Sequence, residues 1–319
     1  ANPEMPLIHF AEAFAQRDWN GASLAIVELK ALNNFAFLAP FLEGWLESAR
    51  GRNTGAAFAT ARSSETAKYY LEEQLILHGL ANRREREAKA LLAQVIERNE
   101  PRMAPVRVIA AQHFWAQNDP ATALAILKMR SSAAELRLFQ KIEAGQKKNV
   151  GQKVTPAIGL AFIFERLSSD LAVQQAQFLS LVTAQAGKRV AGDSDYADLV
   201  LGRAYAAAEN HDLAIAEFAR IGPESPYYLI GLSSQIASFV TNGDFDQAIV
   251  RLDSALAADP DSPELYILKG QSLQAQGENK AAAAAFESAI ELGNKLQRSD
   301  MLMANYWLAL GGAQEQAGI

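Results

Sequence analysis

The chain has 319 residues, half of them hydrophobic and only 8% aromatic, with no cysteine and a formal net charge of −6. Without a thiol there is no disulfide, no thiolate metal site and no cysteine nucleophile, a composition that suits an oxidising compartment. The charge is uneven: residues 1–150 carry 19 Lys and Arg against 16 Asp and Glu, or +3, and residues 151–319 carry 11 against 20, or −9. Neither half offers the clustered basic face of a nucleic-acid binder, and no apolar run approaches the roughly 18 residues that a bilayer span needs.

Such a length would make about two ordinary domains, but a repeat array escapes that limit because each unit buries its apolar face on its neighbours. The opening Ala1-Asn2-Pro3-Glu4 has neither a basic nor an apolar signal region; it reads as a mature end left by cleavage or as a simple boundary. Over residues 1–130 four inter-helix turns recur. Arg17-Asp18-Trp19 precedes Ala22, Ala49-Arg50-Gly51 precedes Ala56, Asn82-Arg83-Arg84 precedes Ala88, and Asn118-Asp119-Pro120 precedes Ala123. These alanines are 34, 32 and 35 residues apart, and apolar residues at helical spacing follow each, as in Leu91, Leu92, Val95 and Ile96. Four degenerate helical hairpins are expected here.

Residues 131–194 do not keep that register. Ser132 to Glu143 reads as helix, Gly145 to Lys153 as the most loop-like stretch of the chain, and Thr155-Pro156 as a cap and first-turn proline opening a further helix. Another begins at Ser168-Ser169-Asp170 and runs towards Gly187. The segment is expected to be an irregular helical connector. Gly145 to Lys153 lacks the Gly-Lys-Ser/Thr ending of a phosphate loop, and lysines 141, 147, 148 and 153 read as a solvated loop. No strand is expected anywhere.

Residues 195–319 repeat plainly. Stretches beginning at Leu201, Gln235 and Lys269 superpose at 34 residues without a gap, with Ala214, Ala248 and Ala282 in register, then Phe218, Leu252 and Phe286, then Ile221, Ala255 and Ala289. Gly243 and Gly277 match at the turn, where the earlier unit has Glu209. Small residues (Gly202, Gly270) let the second helix of a hairpin approach the first, and Asp259-Pro260 stops a second helix. This stretch resembles the tetratricopeptide repeat, departing from it at Ile236, where a small residue is expected, and at Lys269, where an apolar one is. The resemblance implies an all-α fold, an α-solenoid of antiparallel helical hairpins. About seven extra residues follow Leu292. Tyr306-Trp307 to Gly311 then reads as the first helix of an incomplete repeat, and the expectation is a fragment of a longer protein or self-association through that helix.

Chemistry is sparse. His9, His78, His113 and His211 sit in four different hairpins with no metal-ligand spacing, and Arg83 to Glu87 reads as a salt-bridged exposed face. Asp212, Asp244 and Asp246 lie at helix starts and are expected to cap free N–H groups. No carboxylate pair, nucleophile elbow or cofactor motif stands out, so the expectation is no enzyme, no metal and no cofactor. What an array can do is bind, along the groove lined by its first helices. By helical phase Tyr196, Leu199, Arg203, Ile230, Ser233, Ala237, Ile267, Gln271 and Gln274 should face it. The carboxylate clamp of some repeat proteins is absent: Leu199, Arg203, Ser234, Glu264 and Leu268 stand where it needs Lys, Asn and Arg.

Ser225-Pro226-Tyr227-Tyr228, Gly243-Asp244-Phe245-Asp246 and the insertion before Tyr306-Trp307 make residues 155–319 similar to a family of large alphaproteobacterial-type repeat proteins. Some of its members act as envelope adaptors delivering substrates to a protease. The resemblance implies a bacterial protein-binding adaptor or scaffold in the periplasm or envelope, with the cytoplasm as the alternative. A peptide or protein partner is expected, with no nucleic acid and no membrane insertion. The competing readings are a non-catalytic module of a larger enzyme and a self-assembling structural component.

Overall fold

The computed structural model describes residue 2 and residues 4–32, 34–52 and 56–319; of the first four residues only Asn2 and Glu4 are among them. Within these the chain is all-α, with eighteen α-helices, two short 3-10 turns and no strand. None of the helices is long and apolar enough to cross a membrane. The chain divides into two compact units, residues 1–210 with 220–230, and residues 211–219 with 231–319.

Unit 1 is built from hairpins. Helices α1 (Met5–Ala15) and α2 (Trp19–Leu32) pair, as do α3 (Ala39–Ala49) with α4 (Ala56–Ala61), α5 (Glu65–Ala81) with α6 (Glu85–Arg98), and α7 (Ala104–Ala116) with α8 (Pro120–Ile126). Local chemistry starts several of these helices. The hydroxyls of Ser64, Ser132, Thr155 and Ser194 and the carboxylate of Asp119 each accept a hydrogen bond from a backbone N–H three residues on, supplying partners that the first turn lacks. Each hairpin turns on a left-handed residue: Arg17 (φ 59°), Gly51 (76°), Arg83 (59°) and Asn118 (63°), so the turns fall where the sequence places them. Ala22, Ala88 and Ala123 are fully buried at the crossings. Ala56 is exposed; in that hairpin the close approach is instead made by Gly44, where a Cβ would press into the Phe58 ring.

Residues 131–194 hold a helix and a further helical hairpin. After α9 (Ala133–Glu143), α10 (Pro156–Val173) and α11 (Gln177–Ala191) form a hairpin that turns on Gln175, left-handed at φ 60°. Gln175 stands 34 residues before Glu209 (φ 60°), and Gly243 (φ 79°) and Gly277 (φ 89°) follow at the same spacing. The later repeat therefore begins one unit earlier than its alanines suggest. Helix α10 is apolar on nearly every face, with Leu160 to Phe164 at 0–1% exposure. It packs on α3, α5 and α11 and on α12 (Asp195–Ala207), which makes it the central helix of the unit. One polar tie fixes its register: buried Arg166 donates through Nε and Nη2 to Glu73 on α5, at 3.0 and 2.7 Å. A second buried pair, Arg107 to Glu135 at 2.6 Å, locks α9 to α7. Lys141, in the last turn of α9, reaches Glu224 at 2.8 Å and so does not belong to a solvated loop.

Unit 2 holds α13 (His211–Phe218), most of α14 (Tyr228–Asn242), α15 (Phe245–Ala258), α16 (Pro263–Gln276), α17 (Asn279–Lys295) and α18 (Asp300–Ala317). Ala214, Ala248 and Ala282 are fully buried, as are Leu252 and Phe286, as the 34-residue register requires. At Gly270 a Cβ would overlap the Phe286 ring, the close crossing that glycine permits. The aspartates at the helix starts act differently from expectation. Asp244 makes no side-chain cap, whereas Asp212 accepts from Asn242 at 3.0 Å and Asp246 from Gln276 at 3.3 Å. Both ties span 30 residues and fasten the turn of one repeat to the turn of the next.

Candidate functional site

The groove expected from helical phase divides sharply by burial. In unit 1, Tyr196 is 8% and Leu199 2% exposed. Helix α10 covers that side of α12: the Phe162 ring stacks on Tyr196 at 5.9 Å, and Tyr227 closes on its other side at 5.2 Å. Burial holds the Tyr196 hydroxyl well above its ordinary range, so it stays a neutral core group. Tyr196 and Leu199 are thus core positions, because a helix some 35 residues upstream occupies the space that phase alone leaves open. Arg203 is exposed, and Ile230 is half-buried.

In unit 2 the corresponding side remains accessible. Ala237 on α14 and Gln271 on α16, one repeat apart, are both exposed. Ser233 and Ile267 occupy the position one turn earlier and are half-buried, as is Gln274. Ile267 also packs on the α17–α18 core, and the Gln274 amide donates to Gln316 at 2.9 Å, so these two side chains tie α16 to α18 at the edge of the face. What is left open is uncharged: a methyl, an amide and a hydroxyl.

Unit 1 carries a second polar feature. A pocket of about 470 Å³ is lined by Gln112, Gln152, Asp195, Asp198, Arg220 and Ser225 among others. A narrower cleft shares part of that lining and reaches Glu165, Tyr196 and Tyr227. Burial pushes the Glu165 carboxyl up to about 8, against the pull of Lys188 and with a push from Asp198. The carboxyl is therefore held in its neutral form at neutral pH. His78 and His113 are buried in other hairpins, and burial, helped by the Arg84 charge, drives His78 down to about 4. Among the described residues no cluster of three or more His, Asp or Glu could hold a metal ion.

Residues 239–306 match the family model of the tetratricopeptide repeat. Among solved structures, MamA (residue 41 to the end) from Desulfovibrio magneticus RS-1 is similar at 16% identity and a TM-score of 0.37, over 50% of this chain and 85% of that one. YrrB, described as a TPR protein with an unusual peptide-binding site, is similar at 14% identity and 0.35, over 67% and 96%. The P58(IPK) TPR domain follows at 15% and 0.29, over 99% and 90%. No curated protein matches the sequence. At these scores the structural likenesses say nothing of what this chain binds.

Proposed function

Since the chain is a tetratricopeptide-repeat protein, we propose that it is an interaction module, and that the face of unit 2 bearing Ala237 and Gln271 holds a peptide or partner segment. One observation carries the reading: equivalent positions on two consecutive first helices stay exposed and uncharged. A row of small and amide side chains suits an extended or helical segment of modest charge, recognised by shape and amide hydrogen bonds. The cysteine-free composition fits an adaptor working in an oxidising envelope compartment.

The test is capture of partners from a lysate by the intact chain, compared with a variant carrying Ala237→Glu and Gln271→Glu. Loss of a stoichiometric partner with unchanged melting supports the reading. The same partners recovered by both proteins would place binding elsewhere.

A further inference from the structure

Two voids of unit 1 make one site in two parts. The narrow cleft holds about 20 Å³, room for a single water-sized group. It shares Gln112, Gln152, Ser194 and Asp195 with the pocket of about 470 Å³ and is continuous with it through that lining. Tyr227 lines the cleft at 4% exposure, and its hydroxyl has no hydrogen-bond partner. A buried polar group in that state calls for an occupant that supplies one. Burial holds this hydroxyl well above its ordinary range, and Tyr196, Glu165 and Asp195, which line the same cleft, push it the same way. Four oxygen-bearing side chains thus line a space the size of one –NH3+ group. The larger pocket is acidic. Asp198 pairs with Lys188 at 2.5 Å and Glu224 with Lys141 at 2.8 Å, whereas Asp193 and Asp195 make no ion pair among the described residues. Burial raises the Asp195 carboxyl above its ordinary range; the Ser225 hydroxyl opposes this, and the charges of Asp198 and Asp193 add to it. Arg220 also lines the pocket and is exposed.

We infer that unit 1 binds a primary ammonium ion on a short chain, at a site of its own beside the face bearing Ala237 and Gln271 in the account of function. The –NH3+ head enters the cleft and donates to the Asp195 carboxylate and the Tyr227 hydroxyl, and the rest of the ligand lies in the larger pocket. Such a head donates three hydrogen bonds and accepts none, which matches a wall of carboxyl and hydroxyl oxygens. A lone water would give the Tyr227 hydroxyl a partner but leave the charges of Asp193 and Asp195 uncompensated. Among the described residues no acidic or histidine cluster could hold a metal ion, and a guanidinium or quaternary ammonium head exceeds a water-sized space. A free small amine and the N-terminus of a peptide present the same head, so the experiment carries an arm for each.

Isothermal titration of the intact chain with 1,5-diaminopentane, with tri-alanine and with acetylated tri-alanine tests this. Pentyltrimethylammonium and 1-pentanol are the controls, one with an oversized charged head and one with no charge. The expected result is one site per chain for the diamine, the free tri-alanine or both, loosened by salt, with no binding of the acetylated peptide or the controls. Binding of the diamine alone identifies a free amine as the ligand, and binding of tri-alanine alone a peptide N-terminus; either supports the site. Asp195→Asn keeps the shape and removes the charge, and should weaken binding by about tenfold or more. Tyr227→Phe removes a hydroxyl that has no partner. It should weaken binding by about fivefold and leave the melting temperature unchanged or higher. The proposal is overturned by the absence of binding for every ammonium probe up to about 10 mM, by equal binding of either control, or by an affinity indifferent to both substitutions. A Tyr227→Phe chain that melts lower and binds no worse would show a structural water to be the cleft's only occupant, and would overturn it as well.

Discussion

Ser168 and Ser180 exchange hydrogen bonds across the α10–α11 hairpin: each hydroxyl donates to the other's carbonyl, Ser168 Oγ at 2.8 Å and Ser180 Oγ at 2.9 Å. They stand 34 residues before Gly202 and Ala214, the small pair by which the next hairpin is recognised. Both are buried, at 1%. The hydroxyls thus satisfy one another's chain where other repeats simply use small side chains. Ser180→Ala should cost about 1–3 kcal/mol, because the Ser168 carbonyl loses a partner in a dry crossing. Ser168→Ala combined with Ser180→Ala should cost less than the sum of the two single changes, measured by urea denaturation as a double-mutant cycle. Strict additivity would mean that the pair is not coupled.

That pair also explains what was legible in the sequence. Where a repeat uses alanine, as at Ala214, Ala248 and Ala282, its period can be read directly. Serine at 180 hid the repeat that turns on Gln175, and a glutamine in a left-handed turn carries none of glycine's signal. Helical phase knows only its own helix. It assigned Ala237 and Gln271 to an open side, but it could not foresee that α10 covers Tyr196 and Leu199. The ties from Asp212 to Asn242 and from Asp246 to Gln276 were likewise beyond it, because a helix-start aspartate reads as a cap whenever its long-range partner is unknown.

Two glycines at equivalent places should respond in opposite ways. Gly270→Ala puts a methyl into the Phe286 ring and should cost about 1–3 kcal/mol by overpacking. Gly311→Ala meets nothing and should stabilise the helix by about 0.5–1 kcal/mol, since glycine loses more backbone entropy than alanine on folding. Thermal denaturation of the two variants side by side checks the contrast. Equal destabilisation would mean that Gly311 is crowded in solution.

The Glu165 carboxyl gives a pH signature. Its value in the folded chain is about 8, against an ordinary 4.5. Below 4.5 both folded and unfolded chains keep the proton, and the group contributes no slope. As pH rises from 4.5 to 8 only the unfolded chain releases it, so folding stability falls; above 8 both release it and the loss stops growing. Glu165→Gln keeps a neutral hydrogen-bonding group and removes that slope. The stability of E165Q relative to the unmodified chain should therefore climb between pH 5 and 8 and level off beyond, as followed by urea midpoints. A difference independent of pH would show the carboxyl to be ionised in the fold.

The last prediction separates the open face from the core, using one kind of substitution in both. Leu199 is 2% exposed beneath α10, so Leu199→Glu must bury a carboxylate without a partner or open the α10–α12 contact. Either route should cost about 3 kcal/mol or more. Ala237→Glu and Gln271→Glu sit on exposed positions and should shift stability by no more than about 0.5 kcal/mol each. Ile267→Glu should fall between them, because Ile267 is only half-buried against the α17–α18 core. If the open face binds, the exposed pair abolishes partner capture while the melting curve stays in place. Leu199→Glu then lowers capture only as far as it lowers the folded fraction, so raising that fraction at lower temperature restores it. Binding that follows folded fraction in every variant, the exposed pair included, would remove this face as the site.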